Sequence, residues 1–213
     1  MLARRVFVFV VLVMGLYLAL IAPWPGIGTV YLHAYRGVAG TVFQQFGSEG
    51  TLWFLPPEQE MSHIDTLIVC KKQGVAQRYT VSRQDAWTTA YLPTAKVIVL
   101  ILATPISWRR RGIALFFGLC TIQLFIGFRL LTVLVHALSE PSPVQLFEPG
   151  PATLGFLNGL HEHFCVSTAP VFLVPVLIWV LVTVRREDLQ YLLGRNLFSS
   201  EIPGGGQDTV AER

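Results

Sequence analysis

Long apolar stretches separated by shorter polar segments set the pattern of this chain. Four stretches, at residues 6–22, 92–106, 113–138 and 169–184, approach or exceed the roughly 20 apolar residues that cross a hydrocarbon core. The pattern therefore predicts four membrane-spanning helices. The first stretch also has the charged start of a signal peptide, in Arg4-Arg5. Its length and the lack of a small-residue cleavage motif after it favour an uncleaved anchor.

Three clusters of basic residues flank these stretches. Arg4-Arg5 precede the first stretch, Arg109-Arg110-Arg111 join the second to the third, and Arg185-Arg186 follow the fourth. Because positively charged flanks stay in the cytoplasm, all three clusters predict the same topology. Both termini lie inside, residues 108–112 form a tight inner turn, and residues 24–91 and 139–168 lie outside.

The first outer segment is long enough to have structure of its own. Residues 30–46 are amphipathic and aromatic, which predicts a helix along the membrane surface. Residues 50–56 and 65–81 are rich in strand-forming residues, with Gln73-Gly74 as a hairpin tip. In the second outer segment, Pro and Gly predict a loop that re-enters helix near Phe156. The Gly-rich tail after Leu197 predicts disorder.

The amino-acid composition is typical of a membrane protein. Hydrophobic residues make up 53% of the 213 residues and charged residues 14%, against about 25% charged in an ordinary globular domain. Lys and Arg exceed Asp and Glu by only three (16 against 13), which argues against a nucleic-acid partner. We therefore predict a membrane α-helical fold: a four-span bundle, both termini cytoplasmic, with a small extracytoplasmic α+β segment between spans 1 and 2. The segments are an anchor (1–23), an outer segment (24–91), a membrane hairpin (92–138), an outer loop (139–168), span 4 (169–186) and a cytoplasmic tail (187–213).

One charged residue, Arg129, lies inside the third apolar stretch, in its outer half. A charge at the centre of a membrane helix costs about 2.5 kcal/mol or more, and such groups usually face a bundle interior. The alternative is that Arg129 extends to the outer headgroups. His136 lies two helical turns further on the same face and is placed either to share a site with Arg129 or to mark the interface.

Two further candidates fall on the same outer side. A helix around residues 156–165 would bring His161 towards the outer end of Arg129, as a proton carrier or as an interfacial cap. The spacing of His161, Glu162 and His163 is not a zinc-binding pattern. Cys70 is followed by Lys71 and Lys72, and neighbouring cations favour the nucleophilic thiolate. Its alternatives are a half-buried structural cysteine or a disulfide with Cys165.

Together these residues suit acyl transfer on a peptide. Cys70 would supply a thiolate nucleophile, His161 an imidazole to move the proton, and Arg129 a guanidinium to hold an oxyanion or carboxylate. The order and sidedness of four features resemble the exosortase/archaeosortase family. These features are Cys70, the span that ends at ATPISWRRRG, Arg129 in GFRLLTVL and His161 in GLHEHF. The resemblance covers residues 65–184. It implies cutting and transfer of carboxy-terminal sorting tails, with Cys70 as nucleophile, Arg129 as the anion- or substrate-binding group and His161 as acid/base. We expect no cofactor or metal.

The chain departs from the family pattern at two positions. It has Cys70-Lys71-Lys72 where the family has Cys-Asn-Gly, and Ile126 where the family has Asn three residues before the Arg. We therefore expect a non-catalytic inner-membrane subunit associated with an exosortase-like system, with an active cysteine transpeptidase as the alternative. The expected partners are the lipid bilayer, exported proteins with sorting tails, or another membrane subunit.

Overall fold

The structure is a computed structural model. It describes residues 2–21, 27–44, 50–58, 63–72, 74, 76–142 and 145–184, with the backbone alone for residues 2–6 and 27. The prolines after the first apolar stretch, Gln73, Arg185-Arg186 and the Gly-rich tail lie outside these residues.

The fold is mostly helical, with one small sheet. The helices are α1 (Leu2–Ile21), α2 (Ile27–Phe43), α3 (Leu92–Ala103), α4 (Trp108–Ser139), α5 (Pro151–Leu160) and α6 (Ala169–Thr183). Two π-helical segments join this framework: Trp87–Tyr91 runs directly into α3, and His161–Val166 continues α5. Helix α5 begins at Pro151. Proline is tolerated in the first turn of a helix because a backbone N–H there would have no partner within the helix.

Three antiparallel strands form the sheet in the order β1 (Gly50–Leu55), β2 (Thr66–Lys72) and β3 (Tyr79–Gln84). The predicted strands are therefore confirmed. β2 and β3 form a hairpin in which Gly74 takes a positive φ of 82°, a backbone conformation that glycine adopts at little cost. The ladder shifts register between Ile68 and Val69.

Helix α3 packs against α1, α4 and α6, and α4 packs against α6. The approach of α3 to α4 is close at Gly118, where an added Cβ would lie 2.8 Å from Ile101 Cδ1 and 3.1 Å from Val97 Cγ1. Small residues allow membrane helices to approach in this way. These contacts form one apolar core, around Val97, Ile101 and Ile122.

A second core lies between the sheet and the carboxyl-terminal half of α4. There Leu52, Ile68 and Cys70 of the sheet pack with Leu130, Leu134 and Leu138 of α4. The sheet thus rests on the carboxyl-terminal half of α4, next to Arg129.

Asp65 fastens the sheet to the start of the helical region that includes α3. Its Oδ1 accepts hydrogen bonds from the Ala86 N–H (2.9 Å) and the Thr66 hydroxyl (2.8 Å), and its Oδ2 accepts from the Trp87 N–H (2.8 Å). Unpaired N–H groups at a helix start are often satisfied by a carboxylate in this way. The sheet and α3 therefore keep a fixed relation.

Several predicted boundaries need correction. Residues 108–112, predicted as a tight turn, form the first turn of α4, and the link from α3 occupies residues 104–107 instead. Arg109–Arg111 are polar, which marked them as a loop, but arginine is a good helix former. Helix α5 begins five residues before Phe156, since Pro151 starts a helix rather than continuing the loop. The predicted interfacial helix is α2, which begins and ends three residues earlier than expected.

By length and apolarity, the described residues contain fewer candidate spans than the four predicted. Helix α4, with 32 residues, qualifies alone, and the pair Pro151–Val166 and Ala169–Thr183 qualifies only if the two helices, bent by 77°, are taken together. Phe7–Ile21 and Trp87–Ala103 are shorter apolar helices. The difference arises because α3 ends at Ala103, before Thr104-Pro105, and α6 has only 15 residues.

Candidate functional site

Arg129 is the charged centre of the site. Its side chain is only 7% exposed, although it lies on the apolar helix α4. The Nη2 atom donates a hydrogen bond to the carbonyl oxygen of Cys165 at 2.9 Å. The buried Nη1 atom has no hydrogen-bond partner among the residues that the structure describes. Arg129 is therefore covered by protein, and part of its hydrogen-bonding capacity is unused.

Cys165 completes a reciprocal contact with Arg129. Its thiol donates to the backbone carbonyl of Arg129 at 3.7 Å, so each residue donates to the other's carbonyl. Burial raises the pKa of the Cys165 thiol, and the neighbouring Arg129 opposes that effect. The two contacts attach the π-helical segment His161–Val166 to the middle of α4.

Two histidines stack beside this contact. The rings of His136 and His161 lie 4.1 Å apart between centroids with an interplanar angle of 13°. His136 Nδ1 is 3.7 Å from Glu140 Oε1. Burial and the neighbouring His136 lower the pKa of His161, and Glu140 acts in the opposite direction. His161 is therefore mainly neutral near pH 7, as a base or a hydrogen-bond partner rather than as a fixed cation.

His163 does not join this pair. It is exposed, and its Nδ1 contacts the carbonyl of Gly159 at 2.9 Å. His161 and His163 thus face different surroundings, as expected from their spacing. Within the described part of the chain, no three His, Cys, Asp or Glu side chains come together as a metal-ligand set.

Arg129, His161 and Cys165 line one cavity of about 200 Å³, between β3 and the carboxyl-terminal half of α4. Its other polar walls come from Tyr35 of α2, Gln84 at the end of β3, and Arg83. The Tyr35 hydroxyl donates to Gln84 Oε1 at 3.4 Å, and burial raises the pKa of Tyr35, which keeps that hydroxyl protonated. We call this space the arginine cavity.

One carboxylate, Asp85, also borders the arginine cavity, but it is already engaged. Its Oδ1 accepts from the Thr88 N–H (2.9 Å) and its Oδ2 from the Thr88 hydroxyl (2.6 Å). With Arg83 and Arg129 both on the wall, the formal charge around the cavity is positive. The arrangement therefore suits an anion.

The third predicted site residue, Cys70, does not line the arginine cavity. It lies in β2 with 0% exposure, in the apolar core between the sheet and α4. Burial raises the pKa of its thiol, and Lys72 only partly opposes this. The Lys72 Nζ atom instead donates to the carbonyl of Gln145 at 2.8 Å. The cations that follow Cys70 thus do not make it an activated thiolate.

The structure therefore brings Arg129 and His161 together, adds His136 and Cys165, and leaves Cys70 apart. Cys70 and Cys165 are both free thiols. Sequence reasoning considered Cys165 only as a disulfide partner. Its spacing of four residues from His161 was the available signal, since residues i and i+4 share a helix face.

Comparisons with known proteins give no family assignment. The chain matches no protein-family model, and neither a curated protein nor a solved structure matches it.

Proposed function

We propose that this chain is a multi-pass inner-membrane subunit of an exosortase-like protein-sorting system, without a cysteine nucleophile of its own. The observation that carries the proposal is the separation of Cys70 from Arg129 and His161. A thiol buried in an apolar core with a raised pKa is a poor nucleophile. Its general base would also have to lie within hydrogen-bond reach, whereas His161 stacks on His136 in another part of the structure.

The membrane part of the proposal is supported by apolar side chains that face outward on three helices. Phe7 on α1, Leu124 on α4 and Leu181 on α6 are 68%, 75% and 77% exposed, and other apolar residues on the same helices are also exposed. Monomeric soluble proteins rarely expose apolar surface on this scale. In the proposed arrangement α1, α3, α4 and α6 are the four spans, and both termini are cytoplasmic. The sheet and α5 lie on the outer side.

The sorting part of the proposal depends on the order of residues along the chain and on its resemblance to exosortases. In a subunit without a nucleophile, the arginine cavity and the outer segments would receive a partner protein or the tail of an exported protein. Phe156 and Val166, which are 71% and 66% exposed around the outer helix α5, provide apolar surface for such contacts.

A cysteine-free variant tests this proposal. Cys70→Ala, Cys120→Ser and Cys165→Ser are combined, and processing of an exported protein with a carboxy-terminal sorting tail is measured in cells. The proposal predicts that processing continues at normal membrane levels of the variant. Loss of processing at normal levels, restored by returning a single cysteine, would show that this chain supplies the nucleophile.

A second candidate function is favoured by one observation: Cys165, unlike Cys70, shares the arginine cavity with Arg129 and His161. A transpeptidase on this scaffold would use Cys165 as nucleophile, His161 as base and Arg129 for the oxyanion. Restoring Cys165 alone to the cysteine-free variant separates this candidate from one that depends on Cys70.

A further inference from the structure

A second, larger cavity lies next to the arginine cavity. It is an apolar groove of about 630 Å³ between α2 and α4, which falls in the range of about 300–1,000 Å³ typical of ligand pockets. Its walls include Val38 and Val42 of α2 and Leu124, Gly127 and Leu131 of α4. We call it the α2–α4 groove.

The two spaces adjoin. Tyr35, Ile126 and Leu130 border both the arginine cavity and the α2–α4 groove. One side of this shared wall is polar and positively charged, and the other is apolar. A ligand that fills both must have an anionic group at one end and a hydrocarbon chain at the other.

The charged end has unused binding capacity. Arg129 is more than nine-tenths buried, and its Nη1 atom has no hydrogen-bond partner among the described residues. A buried donor without a partner is costly, and more so when it is charged. An oxygen of an anionic ligand would remove that cost. Guanidinium groups are well suited to phosphate and carboxylate oxygens.

The order of residues along α4 agrees with the direction of a lipid. The groove is bordered by residues from Gln123 to Leu131, whereas the cavity is bordered by residues from Ile126 to Val133. The apolar space therefore extends further towards the Trp108 end of α4, which is the cytoplasmic end in the proposed topology. A lipid of the outer leaflet would place its headgroup at Arg129 and its chain towards the bilayer interior.

We infer that the arginine cavity and the α2–α4 groove together bind one anionic phospholipid, with the phosphate at Arg129 and an acyl chain in the groove. This inference goes beyond a sorting role and depends only on the membrane arrangement proposed above. A bound lipid of this kind would hold α2 and the sheet against α4.

Native mass spectrometry of the purified full chain in a neutral detergent tests the inference. Three probes are compared: phosphatidylglycerol, a diacylglycerol with the same acyl chains, and glycerol phosphate. We expect one phosphatidylglycerol to be retained. We expect the other two probes to bind at least about tenfold more weakly, because diacylglycerol lacks the charged hydrogen bond to Arg129 and glycerol phosphate lacks the acyl chain in the groove.

Matched variants separate the two halves of the site. Arg129→Gln should reduce retention of phosphatidylglycerol about tenfold or more by removing the charge. Gly127→Leu should reduce it by filling the groove, since an added Cβ at Gly127 meets no atom within 4 Å. Gly37→Leu is the control for added volume, because Gly37 lies on α2, has equally open space and does not border the groove. If Arg129→Gln does not fold, Arg83→Gln at the exposed rim should still weaken binding.

Three results would overturn the inference. Equal binding of glycerol phosphate would make the cavity a site for free anions, and equal binding of diacylglycerol would make the groove a purely apolar surface, such as one for a partner helix. Retention of no probe would show that neither the arginine cavity nor the α2–α4 groove binds a ligand of this kind. Because the purified chain is tested without any sorting partner, each of these results leaves the proposed sorting role to its own test.

Discussion

At the scale of single residues, Cys70 and Cys165 differ in ways that their sequence contexts do not reveal. Cys70 has two lysines beside it, yet it lies in an apolar core with a raised thiol pKa. Cys165 has no adjacent cation in the sequence, yet its backbone carbonyl accepts a hydrogen bond from Arg129. Side-chain direction in a strand explains the difference for Cys70, since alternate residues face opposite sides of the sheet.

Arg129 connects α4 to the segment after α5, and its loss should affect stability. Arg129→Ala removes the donor to the Cys165 carbonyl and leaves that group without its partner. We expect the variant to lose about 1–3 kcal/mol of unfolding free energy and to lose function. Thermal unfolding in detergent provides the measurement, with the exposed Arg83→Ala as the control. Equal stability of the two variants would show that the contact with Cys165 contributes little.

Replacement of Cys70 should be tolerated. Cys70→Ala removes one buried sulfur atom from the core, and we expect a cost of about 1 kcal/mol, within the usual range for single substitutions. Sorting activity in cells should not change. A stable Cys70→Ala variant without activity would be incompatible with a structural role.

At the scale of secondary-structure elements, the sequence predicted most of the fold because periodicity and strand composition are local properties. The predicted fourth span and α6 begin together at Ala169, and β1 and β2 begin within one residue of the predicted strands, whereas β3 continues to Gln84, three residues beyond the predicted end. The start of α4 was missed because hydropathy separates apolar from polar residues, not helix from loop. The sequence predicted only that His136 shares a helix face with Arg129. The stacking of His136 on His161 was not predicted, because it depends on how α4 meets the segment after α5.

The close approach of α3 and α4 gives a prediction at this scale. Gly118→Leu should destabilise the pair by about 1–3 kcal/mol or more through overpacking against Ile101 and Val97. Gly118→Ala should cost less, because the nearest atom is the flexible end of the Ile101 side chain. Gly112→Leu, on the same helix with open space around it, is the control. Similar unfolding temperatures for all three variants would contradict this packing.

At the scale of the whole molecule, the proposed function requires a particular orientation of the helices in the bilayer. Arg109, Arg110 and Arg111 lie in the first turn of α4, and Arg111 donates to the Thr104 carbonyl at 3.0 Å. Arg129 could be singled out from the sequence as a charge within an apolar stretch, and His161 as a histidine on a helix expected near its outer end. The adjoining of the arginine cavity and the α2–α4 groove could not be predicted, since it depends on the packing of three separate elements.

Replacing Arg109, Arg110 and Arg111 with Gln should disturb the proposed topology, because positive charges would keep the link between α3 and α4 in the cytoplasm in that arrangement. Reporter fusions after Ser139 and at the carboxyl terminus would measure the orientation. We expect a mixture of orientations in the variant and a single one in the natural chain. An unchanged pattern would count against the four-span arrangement.

The most direct test of the central claim, that Cys70 is structural and the arginine cavity is the functional site, is labelling of Cys70 by a membrane-impermeant thiol reagent. Cys120 and Cys165 are replaced by Ser, and the rate is followed from below to above the ordinary thiol pKa of about 8.5. Because burial raises the pKa of Cys70, we predict slow labelling that increases only above that pH, is unaffected by His161→Ala, and becomes fast in denaturant. Fast labelling near neutral pH that is lost in His161→Ala would contradict the account and identify Cys70 as an activated nucleophile.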